Sequence, residues 1–440
     1  MGKLTFRGGI HPYEGKELSK DHPIEKYLPK GDLVYPLSQH IGAPSVPCVK
    51  KGDTVLAGQK IADAGGFVSV PLHASVSGTV KGIEKRLNAT GSMVDCIVIE
   101  NDQQYQETEF QEARLEDLTK EEILNRIKEG GVVGMGGAGF PTHVKLAPKD
   151  PSKIEYILVN GAECEPYITS DYRRMIEEPE KVVKGLQVIL TLFDSAKGYI
   201  CIEDNKPDCI AKMKELVKDI DRIEVKEMMT KYPQGGERTL IYAATGREIN
   251  SSMLPADVGC VVDNVETVIS VYKAVILGRP VNSRVVTVTG DGIKEPKNLL
   301  VLAGTDMSEL VDAAGGLKAK IAKAISGGPM MGFAMFGLDV PTTKTTSALL
   351  CLTEDAVEDA SQNATACINC GRCVEACPSR IVPSRLADFA ENHLEEPFEQ
   401  WHGMECVECG SCSFTCPAKR NLAQSIKSMR KTILANRRKK

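Results

Sequence analysis

Eight of the fifteen cysteines fall in two tight runs. Cys367, Cys370, Cys373 and Cys377 are followed by Pro378, and Cys406, Cys409, Cys412 and Cys416 by Pro417. Both read C-x2-C-x2-C-x3-C-P, a spacing by which thiolates hold [4Fe–4S] clusters. The first three thiolates of a run wrap one corner of a cubane, and the fourth reaches into the neighbouring cluster. The spacing assigns Cys367, Cys370, Cys373 and Cys416 to one cluster, and Cys406, Cys409, Cys412 and Cys377 to the other. Zinc is the rival occupant. It usually takes two separated C-x2-C knuckles and needs neither a third close cysteine nor the proline. Cys48, Cys96, Cys164, Cys201, Cys209, Cys260 and Cys351 are scattered and read as small buried hydrophobes.

A second chemistry-bearing stretch is GVVGMGGAGFPT at 131–142. Gly134, Gly136 and Gly139 formally match G-x-G-x-x-G. An ordinary dinucleotide fingerprint follows a strand and opens a long helix. Here a helix precedes the loop, and Pro141 and Pro148 restrict any helix after it, so that reading fails. The glycines still permit close backbone approach to a ligand. Exposed N–H groups in such a loop can cradle phosphate, with Lys145 within reach as a point charge. Three further segments carry polar groups at strand or helix ends: VNGAECEPYITSD (159–171), YPQGGERTLI (232–241) and VVDNVETVISVY (261–272). Asp263 or Asn264 could equally serve as a helix cap.

These motifs need scaffolds. IEYILVN (154–160) and GYICIED (198–204) read as buried strands, with helices near 176–193, 207–219 and 264–277, so 119–280 is an α/β domain. Thr119 and Glu122 form a capping box opening a helix to about Gly130. Residues 1–100 read as an all-β module of short strands and turns, and polar 101–118 as a linker. Residues 281–345 form a small α+β unit, and 355–440 a helical, cysteine-bearing domain with a basic tail. The 440 residues carry a net charge of −5, which excludes a polyanion binder such as a nucleic-acid protein. No signal peptide is visible, and no window approaches the roughly 20 apolar residues of a membrane span.

The order and spacing of GMGGAGFPT, VNGAECEP, YPQGGERTL and VVDNVET resemble the NADH-binding flavoprotein subunit of respiratory complex I. With the β module before them and a β-grasp-like unit and doubled cysteine runs after them, the whole chain is similar to the RnfC family, the C subunits of the Rnf electron transport complex. The resemblance implies a multidomain α/β architecture: an N-terminal lipoyl-like barrel-sandwich, an FMN/NAD(H)-binding domain, a β-grasp unit of the soluble-ligand-binding type, and a two-[4Fe–4S] ferredoxin-like domain. It implies FMN at Gly134, Gly136, Lys145, Asn160, Gly235, Asp263, Asn264 and Thr267. The nicotinamide nucleotide, NAD(H), is expected near Gly137, Ala138, Phe140, Glu165 and Glu237, with Glu237 on a ribose hydroxyl and Phe140 on adenine. Met135, Ala162 and Gly236 depart from the complex I pattern, which usually has Arg, Asp and Glu there. The module's tip, GGFVSVPLH, holds no lysine, so no lipoyl or biotinyl carrier role is expected.

The implied activity is ferredoxin:NAD oxidoreduction within an ion-translocating membrane complex. The chain is expected as a peripheral subunit on the cytoplasmic face, attached through partner subunits and linked indirectly to ferredoxin. Flavin is required because clusters move single electrons and nicotinamide takes a hydride; no catalytic base is needed. Two alternatives stay open: a flavin-free iron–sulfur relay or assembly subunit, and the flavoprotein of a soluble NAD-linked dehydrogenase or hydrogenase.

Overall fold

The structure is a computed structural model that describes residues 3–439. Its centre is a parallel sheet of four strands: β1 (Tyr156–Gly161), β2 (Lys197–Glu203), β3 (Ile223–Met228) and β4 (Cys260–Asn264). Their spatial order is β3-β2-β1-β4, with every neighbouring pair parallel. Apolar runs such as Ile157-Leu158-Val159 are fully buried, as a sheet covered on both faces requires. Helix Pro179–Leu190 places Val182, Leu186 and Ile189 on its inner stripe, each fully buried. It crosses helix Val265–Val275 at Gly185, where an added Cβ would lie 2.1 Å from the Val268 carbonyl oxygen. The chain winds from β1 outward to β3, then returns to lay β4 on the other side of β1. That reversal opens a crevice at the carboxyl ends of β1 and β4.

Three units surround this sheet. Ahead of it, two small antiparallel sheets enclose Leu33, Tyr35, Ile61, Leu72, Ile97 and Ile99. Behind it, a mixed six-stranded sheet is built around Ser283–Thr289 and Lys297–Leu302. This sheet draws on both sides of the 281–345 stretch. Ala348–Leu352 pairs with Ser283–Thr289, and Ile24–Lys26 adds an edge strand parallel to Lys297–Leu302. A three-residue strand leaves no periodic trace in the sequence. The C-terminal domain is a cluster of short helices closed by the long helix Leu422–Lys439. Its basic tail is engaged within the domain: Lys427 and Arg430 pair with Glu408, and Arg437 with Glu399. Of the scattered cysteines, Cys96, Cys201, Cys209, Cys260 and Cys351 are buried as expected, whereas Cys48 is exposed and Cys164 half-buried.

The contact at Gly185 can be tested. Gly185→Ala forces a methyl into backbone and should destabilise the central domain by about 2–3 kcal/mol, read as a lower melting temperature by circular dichroism. An unchanged melting curve would contradict the close helix crossing.

Candidate redox site

The glycine loop is held from behind and open in front. The helix Lys120–Glu129 leads into it, its start fixed by the reciprocal Thr119–Glu122 capping box. The Gly134 N–H donates to the Phe140 carbonyl at 2.8 Å and closes the loop. Only the single turn Thr142–Lys145 follows, so no long helix takes the place a Rossmann loop would give it. The Met135 N–H donates to Thr267 Oγ1 at 2.9 Å, and the Met135 side chain is buried. Gly136, Gly137 and Ala138 are exposed. Among the described residues, none of their three N–H groups has an acceptor. A Cβ on Gly137 would meet nothing within 4 Å, while one on Gly136 would lie 2.9 Å from Asn264 Cβ. The absent side chains leave space for a ligand against bare backbone.

The crevice between β1 and β4 supplies the next groups. Asn160 and Asn264 are register partners across the two strand ends. Asn160 Nδ2 donates to the Gly235 carbonyl at 2.8 Å, and the Gly235 N–H donates to Cys164 Sγ at 3.2 Å. The second glycine turn is thereby stitched to the end of β1. Asn264 caps helix Val265–Val275 by accepting the Glu266 N–H, and its amide donates to Asp171 Oδ2 at 2.6 Å. Asp263 is buried and does not cap. Its Oδ1 receives Lys145 Nζ at 3.1 Å, and Lys145 also donates to the Val262 carbonyl. Asp263 Oδ2 is buried with no partner. Burial pushes the Asp263 carboxyl up, against the pull of Lys145. Burial also raises Glu237, whose neighbouring charges are Lys145, Asp263 and Arg238. A carboxylate oxygen only accepts, and leaving one buried and unpaired is costly. A ligand hydroxyl or N–H donor would satisfy it. Bare N–H groups for an anion, a lysine and an orphaned acceptor together fit a flavin nucleotide.

Two further candidates are held in part by neighbouring backbone. Glu165 Oε1 accepts the Met330 and Met331 N–H groups at 3.1 and 2.6 Å, so its carboxyl is held by the turn at Gly327–Gly332. Its Oε2 is buried without a partner, and burial pushes its pKa up to about 7. Phe140 is half-buried, and its carbonyl closes the loop. The structure also brings in residues that sequence reasoning passed over. Asp171 is pushed up to about 7 by burial and by Glu163. Arg174 and Glu266 form a buried ion pair at 2.7 Å beneath the crevice. Tyr232 lies between the second glycine turn and the cysteines. A lone charged residue inside a helical pattern gives no sequence signal for such pairing.

The eight clustered thiols ring two separate cavities. Cys367, Cys370, Cys373 and Cys416 line one, which opens to solvent. Cys377, Cys406, Cys409 and Cys412 line the other, which is smaller and more enclosed. Each cavity thus takes its fourth cysteine from the other run. Among the described residues, no three His, Cys, Asp or Glu side chains converge closely enough to hold a single metal ion. Thiols spread around a cavity suit a cubane. The two runs repeat one backbone: Asn369 and Glu408 share φ near +57°, and their N–H groups each donate to the first Sγ of the run at 3.4 Å.

The first ring is outermost, with Cys367 and Cys370 exposed; in the second, Cys377, Cys409 and Cys412 are buried. The buried ring faces the central domain. Tyr232 Oη donates to the Cys409 carbonyl at 2.8 Å, and Ile10, Cys164 and Met330 pack beside it. Arg238, next to Glu237, pairs with Glu405, next to Cys406, at 2.8 Å.

Known families match each unit in turn. Residues 4–104 match the RnfC barrel sandwich hybrid domain and 127–273 the Nuo51 FMN-binding domain. Residues 285–334 match the SLBB domain and 366–420 the 4Fe-4S dicluster domain. The C subunit of the Na(+)-translocating ferredoxin:NAD(+) oxidoreductase complex of Acetobacterium woodii is 44% identical over 99% of this chain and 98% of its own length. The C subunit of the proton-translocating ferredoxin:NAD(+) oxidoreductase complex of Clostridium ljungdahlii is 46% identical over 97% and 93%. The C subunit of the ion-translocating oxidoreductase complex of Pseudomonas aeruginosa is 40% identical over 88% of this chain and 50% of its own. Among solved structures, an NAD+-reducing [NiFe]-hydrogenase in the air-oxidized state aligns with TM-score 0.51 at 17% identity, over 71% of this chain and 66% of that one, a likeness of fold alone. With four domain families in register and near full-length identity above 40%, the chain belongs to the RnfC family, the C subunits of ion-translocating ferredoxin:NAD(+) oxidoreductase complexes.

Proposed function

We propose that this chain is the NAD(H)-exchanging peripheral subunit of its complex, on the cytoplasmic face of the membrane, joined to ferredoxin through the other subunits. The observation that carries this reading is the alignment of parts. An exposed thiol ring comes first, then a buried ring, then Tyr232 bonded to the buried ring, then the glycine turns at the carboxyl ends of β1 and β4. Among the described residues no helix is long and apolar enough to cross a membrane. Attachment is assigned to partner subunits, in keeping with relatives named as subunits of translocating complexes.

Bound FMN supplies the exchange between single electrons and hydride. The chain's residues bind and orient it. The Gly136 N–H receives an anionic oxygen of it, while the Gly137 and Ala138 N–H groups stand toward the nicotinamide nucleotide. Lys145 spends two donors on Asp263 and Val262 and keeps a third for the same anion. Asp263 Oδ2 accepts from a ligand hydroxyl or N–H. Gly134, Asn160, Gly235, Asn264 and Thr267 fix the frame around these groups. Phe140, Glu165 and Glu237 are assigned to the nicotinamide nucleotide. Cys367, Cys370, Cys373 and Cys416 hold the outer cluster; Cys377, Cys406, Cys409 and Cys412 hold the inner one.

NADH titration of anaerobically purified protein should bleach flavin absorption and then raise reduced-cluster EPR signals. Unchanged spectra with flavin absent would defeat the assignment. The swapped ligation predicts an asymmetry between double variants. Cys367→Ala with Cys416→Ala should keep one cluster's worth of iron and the inner cluster's signal. Cys367→Ala with Cys377→Ala should damage both clusters; the opposite pattern would mean that each run holds its own. Gly136→Val drives a side chain toward Asn264 and covers the loop's N–H groups. It should lose FMN on gel filtration while keeping its iron, and full FMN retention would remove the loop from the site.

A further inference from the structure

The glycine loop is exposed in front, but its rear is gripped by a residue from a different unit. Arg284 sits on strand Ser283–Thr289 of the six-stranded sheet and is 4% exposed. Its Nη1 donates to the Met135 carbonyl at 3.2 Å and to the Lys344 carbonyl at 3.0 Å. Its Nε is buried with no partner. Glu266, Asp171 and Arg174 are the charged groups facing it.

The consequence follows from peptide geometry. In a planar trans peptide the C=O and N–H point in opposite directions. The peptide that joins Met135 to Gly136 has its carbonyl drawn inward by Arg284. Its N–H, which belongs to Gly136, must therefore face the open side of the loop. Thr267 fixes the preceding peptide by accepting the Met135 N–H. Two successive peptides are thus clamped from behind, one by a hydroxyl and one by a guanidinium. A charged donor makes the stronger bond, and it also sets a positive charge beneath a loop suited to an anion.

We propose that Arg284 is a positioning residue for the flavin site, aiming the Gly136 N–H at the nucleotide's anionic oxygen from the unit behind it. The inference rests on the FMN reading above and gives the six-stranded unit a direct part in that site. Arg284 touches the loop's carbonyl and not the ligand, so its effect passes through backbone orientation.

The test uses full-length protein with its clusters intact, stripped of FMN and titrated with FMN, binding being read from loss of flavin fluorescence. Arg284→Met should weaken FMN binding by at least about tenfold, since a lost bond to a charged donor is worth more than one decade. Its cluster signals should remain. Arg284→Lys should bind within about threefold of the wild type, because one nitrogen makes both bonds and an ammonium donates to several acceptors. A purely structural arginine would lower the melting temperature and leave the affinity of the folded fraction unchanged, and that result overturns the proposal. Where Arg284→Met does not fold, Arg284→Gln, neutral and too short to reach the loop, is expected to show the same loss and overturns the proposal if FMN affinity is kept. A wild-type protein that takes up no FMN would instead refute the flavin reading itself.

Discussion

The arrangement hangs on the pairing of β1 with β4. Asn160 and Asn264 face each other in register, and each binds a different part of the site. Asn160 holds the turn at Gly235; Asn264 starts the helix whose Thr267 holds the glycine loop. The turn in turn carries Tyr232, which meets the cysteine domain. A one-residue slip between the two strands would move all of these contacts at once, because successive side chains on a strand point to opposite faces. The hydrogen bonds of Asn160 and Asn264 at the strand ends oppose such a slip.

Much of the polar wiring beneath the crevice is charged and dry. Arg174 pairs with Glu266 and Glu178, Lys145 with Asp263, and Lys16 with Glu163. Such pairs add little net stability, since desolvation offsets attraction, but removing one partner strands a buried charge. Lys344 shows the other solution. Burial pulls its pKa down to about 7, and it rests on the Pro71 and Gly131 carbonyls. It ties the β module's tip to the start of the glycine loop. The module that lacks a carrier lysine therefore forms part of the wall behind the site.

What could be read from the sequence was local. The cysteine spacing sits within eleven consecutive residues of each run, and its crossed pattern reappears as two mixed thiol rings. The glycine loop, the capping box at Thr119 and the main strands were legible because turn chemistry and periodicity act over a few residues. Arg284, Tyr232 and Ile24–Lys26 were not. Arg284 lies in RVVTVT, which reads as an ordinary strand, and its target is a carbonyl 149 positions away. Glu165 stood in the right segment, but no local pattern announces the turn at Gly327–Gly332 that holds its Oε1.

The N-terminal stretch has a consequence for how the molecule is assembled. Leu4 bridges to Met228, the Gly9 N–H donates to the Ala376 carbonyl, and Ile24–Lys26 joins Lys297–Leu302. Residues that leave the ribosome early thus find their partners among those that leave late. Contacts so distant along the chain are slow to form. The β module and the central sheet can mature during synthesis, but the strap that binds them to the cysteine domain closes only after translation has passed that domain.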